Sequence, residues 1–175
     1  NPQRGLSWLL DIWHYRIHDK MPEAELHIYS GAATYGTHGA RRANQMQPIL
    51  DKASSLRGSN IFLHDPVPKQ DLVKVLSQSR VLVYRGDPGE TFCLAVGEAQ
   101  AAGIPAVVKD IGCVAERIVQ GRTGFVENTD AEFAKATLKL LEDDALWQRQ
   151  NLAALETQRL WGWDDAALSF ESLIP

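Results

Sequence analysis

The sequence predicts an α/β fold in which a mostly parallel sheet is covered by helices on both faces. Short apolar runs of strand length alternate along the chain with longer segments whose apolar residues recur at helical spacing. Runs such as Val81-Leu82-Val83-Tyr84 have no polar alternate positions, as expected for strands buried on both faces of a parallel sheet. The chain has 175 residues, of which 45% are hydrophobic and 23% charged, which suits one globular domain with a sizeable core.

The first half of the chain predicts helices separated by short strands. Leu6, Leu10, Trp13 and Ile17 form one apolar stripe of the first helix. The predicted order is a helix over 5–18, a strand over 25–29, a glycine-containing loop over 31–39, a helix over 40–56, a strand over 60–64 and a short helix over 70–78. The loop resembles a phosphate-binding P-loop but lacks its lysine, so we interpret it as a flexible connection.

The second half continues the alternation of strand and helix. A strand over 81–84 is followed by a glycine- and proline-containing turn, an alanine-rich helix that stops at Gly103, and a strand over 104–108. A short helix over 114–119 and a strand over 124–126 come next. Thr129 and Glu132 have the spacing of a capping box. They predict the start of a helix, which is followed by another over 145–160 and by a last helix capped by Asp164.

Composition excludes several classes of function. A net charge of −4 gives no broad basic surface, so we expect no nucleic-acid partner. Cys93 and Cys113 lack metal-site spacing, and two isolated cysteines favour a reducing compartment. His14 and His18 lie one helical turn apart without an obvious carboxylate partner, so we expect no metal site there. No signal peptide or bilayer-length apolar run is present, and we expect a cytoplasmic protein.

The segment after the strand over 81–84 is the strongest candidate site. A strand, a glycine turn and a helix N-terminus form an anion site, because the first amide N–H groups have no partner inside the helix. Glu90 stands at the expected helix entrance, and Glu98 follows about two turns later on the same face. Between Phe92 and Ile104, Glu98 is the only charged residue, which favours a ligand contact over a solvated position.

This segment resembles a known motif. A glutamate, seven residues and a second glutamate, followed by Ala99-x-Ala101-x-Gly103-x-Pro105, resemble the donor-binding motif of retaining glycosyltransferases of the GT-B fold, family four. The segments that support the resemblance, in the expected order, are Arg4-Gly5-Leu6 and residues 22–28, 114–119 and 121–126. The resemblance implies that residues 1–175 form a single nucleotide-sugar-binding domain, with the Rossmann-like sheet of one half of a GT-B fold.

The resemblance also implies roles for individual residues. Glu98 would hold the ribose diol, and Glu90 would contact the donor sugar as the catalytic residue. For Glu90, a favourable charge at a helix N-terminus is the alternative, and Arg85 reaches the phosphates or lies at the surface. The further residues assigned to the donor are Thr91, Phe92, Cys93 and Leu94 through their N–H groups, Arg4 through its charge at the diphosphate, and Val67 in the segment that holds the base.

The activity implied is transfer of a hexose from a nucleoside diphosphate sugar, such as a UDP- or GDP-sugar, with retained anomeric configuration. The resemblance implies no metal or other cofactor. The acceptor, a glycan or a lipid, would be bound by an N-terminal domain, which could also bring the protein to a membrane. The isolated chain should therefore bind the donor without turnover. A non-catalytic nucleotide-binding or regulatory domain, and a GT-B epimerase, remain as alternatives.

The resemblance predicts a gap in the sheet. In the resembled family a buried strand precedes the first helix, near the middle of the sheet, whereas only Asn1-Pro2-Gln3 precede it here. Loss of a central strand would leave backbone groups unpaired. We therefore expect the chain to lack its first strand as well as the N-terminal acceptor domain, and either to associate with itself or to be held by a segment from elsewhere.

Overall fold

The alternation of helix and strand predicted from the sequence is present in the computed structural model, which describes residues 4–31, 39–160 and 162–174. The predicted loop over 31–39 lies mostly outside these ranges, as do Asn1 to Gln3. The elements of the first half are α1 (Leu6–Ile12), a π-helical turn (Trp13–His18), β1 (Leu26–Tyr29), α2 (Gly39–Ser55), a 3-10 turn (Arg57–Ser59), β2 (Ile61–His64) and α3 (Lys69–Ser77).

The second half is also close to prediction. Its elements are β3 (Leu82–Tyr84), α4 (Leu94–Ala101), β4 (Ala106–Val108), a 3-10 turn (Val114–Arg117), β5 (Gly124–Val126), α5 (Asp130–Glu142), α6 (Asp144–Arg159) and α7 (Trp163–Glu171). Thr129 caps α5 as predicted, since its Oγ1 accepts a hydrogen bond from the Glu132 N–H at 3.2 Å. Asp164 does not cap α7. Gly162 holds that position, and its N–H donates to Asp165 Oδ2 at 2.7 Å.

The strands are parallel, which confirms the predicted α/β class, but they form two sheets. β1 pairs with β2, and β4 lies between β3 and β5. One hydrophobic core nevertheless serves both sheets, because Ile28 of β1 and Val107 of β4 belong to the same buried cluster as Leu10 of α1. The two sheets therefore belong to one domain.

Helix α1 lies across the boundary between the two sheets. Asp11 of α1 pairs with Lys52 of α2 at 2.7 Å, and Trp8 packs edge-on against Phe133 of α5 with ring centroids 5.0 Å apart. Helix α2 packs on β2, whereas α5 packs on β4 and β5. Within the described residues, β1 and β3 each have one unpaired edge. The outer strands β2 and β5 also have one unpaired edge each in the described part of the chain.

We predict that an additional strand stabilises the fold. Extending the chain upstream of Asn1 with the corresponding natural residues should raise the melting temperature by about 5–10 °C and favour monomers, because the unpaired edges gain hydrogen-bond partners. Calorimetry and light scattering measure the two effects. A stable monomer whose melting temperature is unchanged by the extension would show that the position assigned to the first strand, and with it the alignment of Arg4, is wrong.

Candidate functional site

The candidate site lies where β3 ends. Ligand sites in open parallel sheets are typically found beyond the carboxyl ends of the strands. Tyr84 is the last residue of β3, and the segment over 85–93 leads from it to α4. The residues assigned to the donor from the sequence fall into two groups here, one around Glu90 and one around Glu98.

The start of α1 is brought to the end of β3 by a close backbone contact. Gly5 precedes α1 and has a positive φ of 78°, a conformation that disfavours residues with a side chain. A Cβ atom on Gly5 would lie 2.1 Å from Cδ of Arg85, so the stem of Arg85 packs directly on the glycine. Arg4 and Arg85 are therefore held at the same edge of the sheet, although they are distant in sequence.

The Glu90 side chain is buried, and Tyr84 and Arg4 are among its partners. Its side chain is 6% exposed, and both carboxylate oxygens accept the Tyr84 hydroxyl hydrogen bond at 2.9 Å. Arg4 Nη2 lies 3.7 Å from Glu90 Oε1. Burial raises the pKa of the Tyr84 phenol well above its usual range, and the hydrogen bond to Glu90 adds to this effect. Tyr84 therefore stays a neutral donor that fixes the direction of the carboxylate.

The backbone on either side of Glu90 is held by a neighbouring segment. Glu90 N–H donates to Asp87 O at 2.9 Å, and Glu90 O accepts the Cys113 N–H at 3.1 Å. Gly112 has a positive φ of 61°, and a Cβ there would lie 2.5 Å from Asp87 O. The segment before the 3-10 turn thus packs directly against the turn that carries Glu90, and this contact limits how far the carboxylate can move.

The helix entrance is later than the sequence indicated. Helix α4 begins at Leu94, because Cys93 adopts a left-handed conformation with φ 50° and interrupts the chain before it. The assignment of Thr91, Phe92 and Cys93 to the first helical amides is therefore wrong, and Leu94 alone of the four lies in the helix. Thr91, Phe92 and Leu94 are exposed, whereas Cys93 is buried. Burial raises the pKa of the Cys93 thiol to about 12, which agrees with a packing role.

Glu98 lies on α4 and is paired with a lysine from α3. Lys69 Nζ is 2.8 Å from Glu98 Oε1, and the Glu98 side chain is 31% exposed. The pair brings the start of α3 to α4, and Val67 lies two residues before Lys69 in an exposed segment. Because Glu90 precedes the helix, the two glutamates do not share one helical face, contrary to the prediction.

Two of these contacts were not found from the sequence. Tyr84 was assigned only to a strand, and Lys69 was assigned no role. The position of Tyr84 at the carboxyl end of β3, six residues before Glu90, is a signal that could have identified it. No sequence signal connects Lys69 with Glu98, since the two residues lie on different helices.

Two further properties concern the described residues only. None of their histidine, cysteine, aspartate and glutamate side chains form a group of three or more that could hold a metal ion. The Nδ1 atom of His14 is hydrogen-bonded to Ser59 Oγ. No helix in the described part of the chain has the length and apolar character needed to cross a bilayer.

Comparison with known proteins gives consistent matches in sequence. The model of the family described as "Glycosyl transferases group 1" matches residues 1–143. A D-inositol 3-phosphate glycosyltransferase of Corynebacterium diphtheriae is 35% identical over 111 residues, which are 62% of this chain and 26% of that protein. Its counterpart in Streptomyces avermitilis is 36% identical over 104 residues, 58% of this chain and 22% of that protein. The chain thus spans about a quarter of the length of these relatives.

Solved structures show the same fold at lower identity. Sucrose-phosphate synthase from Thermosynechococcus elongatus superposes with a TM-score of 0.75 at 20% identity, over 99% of this chain and 42% of that one. Anabaena Alr3699/HepE in complex with UDP-glucose gives a TM-score of 0.73 at 17% identity, over 90% of this chain and 41% of that one. At such identities the likeness concerns the fold alone.

Proposed function

The chain belongs to the group 1 glycosyltransferases and has the α/β fold of one half of a GT-B enzyme, and from that premise we propose that it is the donor-binding domain of a retaining hexosyltransferase. The observation that carries the proposal is the cluster of Arg4, Tyr84 and Glu90 at the end of β3. A buried, oriented carboxylate beside a guanidinium suits the binding of a sugar whose diphosphate carries negative charge.

The donor would lie across the two groups of residues. Arg4 and Arg85 would face the diphosphate, together with the amides at the start of α4. Glu90 would accept hydrogen bonds from the sugar, and the segment around Val67 would hold the base. Glu98 would accept a hydrogen bond from each of the two ribose hydroxyls, since a carboxylate can accept hydrogen bonds from two neighbouring donors. For this to happen, Lys69 must release Glu98, which costs little because the lysine side chain is 75% exposed.

The proposed donor is a UDP- or GDP-sugar, and it is bound without a metal ion. Two arginines and the amides at the start of α4 supply positive potential where charge builds on the leaving diphosphate. UDP-glucose is the ligand in the Anabaena structure of the same fold, so it is the donor to test first. We further propose that a preceding domain binds the acceptor, a glycan or a lipid. The free thiols of Cys93 and Cys113 support a cytoplasmic location.

The transfer reaction is tested with the full-length protein. A panel of UDP-, GDP- and ADP-hexoses is offered with candidate acceptors, and release of the nucleoside diphosphate is followed. We expect one base to support release, and the anomeric proton of the product, observed by NMR, to show the configuration of the donor. Inversion of that configuration, or no release from any donor, would overturn the proposal.

A second candidate function is favoured by one contact. The Lys69–Glu98 pair occupies the carboxylate assigned to the ribose, as expected if this surface served a non-catalytic, regulatory domain. In that case Glu98 is a structural residue, and nucleoside diphosphates should show no base-dependent binding. The two functions therefore predict different titrations.

A further inference from the structure

Arg117 contacts Phe92, in the segment over 85–93 that leads from β3 to α4, and the proposed function does not explain this contact. Arg117 is the last residue of the 3-10 turn that follows Cys113. Its Nε–H donates to the backbone oxygen of Phe92 at 2.9 Å, and its guanidinium carbon lies 4.1 Å from the centroid of the Phe92 ring. One side chain thus holds both the main chain and the ring of Phe92.

The guanidinium of Arg117 also lies beside Gly97 of α4. A Cβ atom on Gly97 would lie 3.6 Å from Cζ and Nη1 of Arg117, which is ordinary van der Waals contact. The guanidinium therefore packs against α4 at Gly97, where a larger side chain would stand. Gly97 also weakens α4 relative to an alanine there, and the space it leaves is filled by Arg117. We call Arg117, Phe92 and Gly97 the Phe92 clamp.

The clamp acts on a segment just before α4, in which the Phe92 ring also stacks on Trp163 with ring centroids 6.2 Å apart. Thr91 and Phe92 are exposed and precede the helix, and Cys93 is held in a left-handed conformation that is unfavourable for a residue with a Cβ. In the described part of the chain, the Arg117 side chain donates its hydrogen bond to the backbone oxygen of Phe92. A charge-assisted hydrogen bond and a ring contact of this kind resist local opening.

We propose that Arg117 is a positioning residue that holds residues 91–93 in place beside Glu90 and α4. Its consequence for the donor rests on the proposed function, because this segment borders the diphosphate and sugar sites. The clamp itself does not depend on that function. Loss of Arg117 would let the segment open while the rest of the domain stays folded.

Reactivity of Cys93 measures this opening directly. Cys93 is 2% exposed and adjoins Phe92, so a thiol reagent reaches it only when the segment moves. In a Cys113→Ser background, Arg117→Ala should raise the rate of Cys93 labelling by about tenfold or more. Arg117→Lys should give a smaller rise, because a lysine keeps a charged donor but cannot donate and stack at once. Arg122→Ala, which removes an exposed arginine elsewhere, should leave the rate unchanged.

A second pair of variants tests the clamp without changing Arg117. Gly97→Ala places its Cβ at an allowed distance and should label like the parent. Gly97→Val adds branched atoms that displace the guanidinium, so it should label as fast as Arg117→Ala, although valine favours the helix more than glycine does. Labelling by local opening should depend weakly on urea, whereas global unfolding depends on it steeply. Unchanged labelling in Arg117→Ala and Gly97→Val, or a steep urea dependence, would overturn the clamp.

Calorimetry then tests the effect on the donor. UDP-glucose and GDP-glucose are titrated into the parent and into Arg117→Ala, and we expect the preferred donor to bind about tenfold more weakly to the variant. If the variant labels faster but binds this donor as the parent does, Arg117 has no positioning role for the donor. If the parent binds neither donor, the proposed function fails, whereas the labelling rates still decide whether the clamp exists.

Discussion

Replacing Glu90 with glutamine in the full-length enzyme is expected to lower the rate of hexosyl transfer by about 10²-fold or more. The structure gives the reason, since the carboxylate is 6% exposed and is oriented by Tyr84 and Arg4. The glutamine keeps the shape but loses the charge and one acceptor oxygen. The affinity for the nucleoside diphosphate should stay nearly unchanged, and the affinity for the full nucleotide sugar should fall, because Glu90 is assigned to the sugar.

A matched surface variant provides the control for this result. Glu156→Gln removes an exposed carboxylate whose partner, Arg122, lies 3.9 Å away. It should leave transfer and both affinities unchanged. Rates come from release of the nucleoside diphosphate, and affinities come from calorimetry. Equal losses of affinity for the nucleoside diphosphate and for the nucleotide sugar in Glu90→Gln would contradict the assignment of Glu90 to the sugar.

Replacing Glu98 with glutamine should weaken nucleoside diphosphate binding by about 1–3 kcal/mol, or roughly 5- to 150-fold, because a charged hydrogen-bond partner of the ribose is lost. Titration of the chain with the preferred nucleoside diphosphate measures the change. The loss should be similar for the nucleoside diphosphate and for the nucleotide sugar, which separates Glu98 from Glu90. Unchanged affinity would exclude Glu98 as the ribose ligand.

The salt bridge of Glu98 requires a separate control. The Glu98→Gln change also breaks the contact with Lys69, so any loss of affinity has two possible sources. Lys69→Met breaks the same 2.8 Å pair but leaves the carboxylate available. Because the pair is exposed and weak, this variant should bind nucleotide within about threefold of the parent. A loss as large as that in Glu98→Gln would assign the effect to the salt bridge.

Much of the fold could be predicted from local sequence patterns. The apolar run ending at Tyr84 and the alanine-rich segment after it have periodicities that depend only on neighbouring residues. The Thr129–Glu132 spacing is local too, and it correctly gave the start of α5. The family resemblance rests on the same kind of signal, because Glu90 and Glu98 stand in one continuous segment.

Features that depend on tertiary contacts could not be predicted. The start of α4 was missed because Cys93 adopts a left-handed conformation, which cysteine seldom takes and which local propensity therefore does not indicate. The partners of Glu90 and Glu98 come from other elements, Tyr84 from β3 and Lys69 from α3. Lys69 and Glu98 are distant in sequence and meet only in the folded domain, so their contact carries no local signature, whereas the position of Tyr84 six residues before Glu90 is a local signal.

The most direct test of the donor-binding assignment is a calorimetric titration of the chain with UDP, GDP and ADP at equal concentrations. We expect one of the three to bind at least about tenfold more tightly than the others, because a site that hydrogen-bonds a base discriminates against bases lacking its donors and acceptors. We also expect Glu98→Gln to weaken this binding. Absence of binding, or equal affinity for all three nucleotides, would contradict the assignment of this domain to a nucleotide-sugar donor.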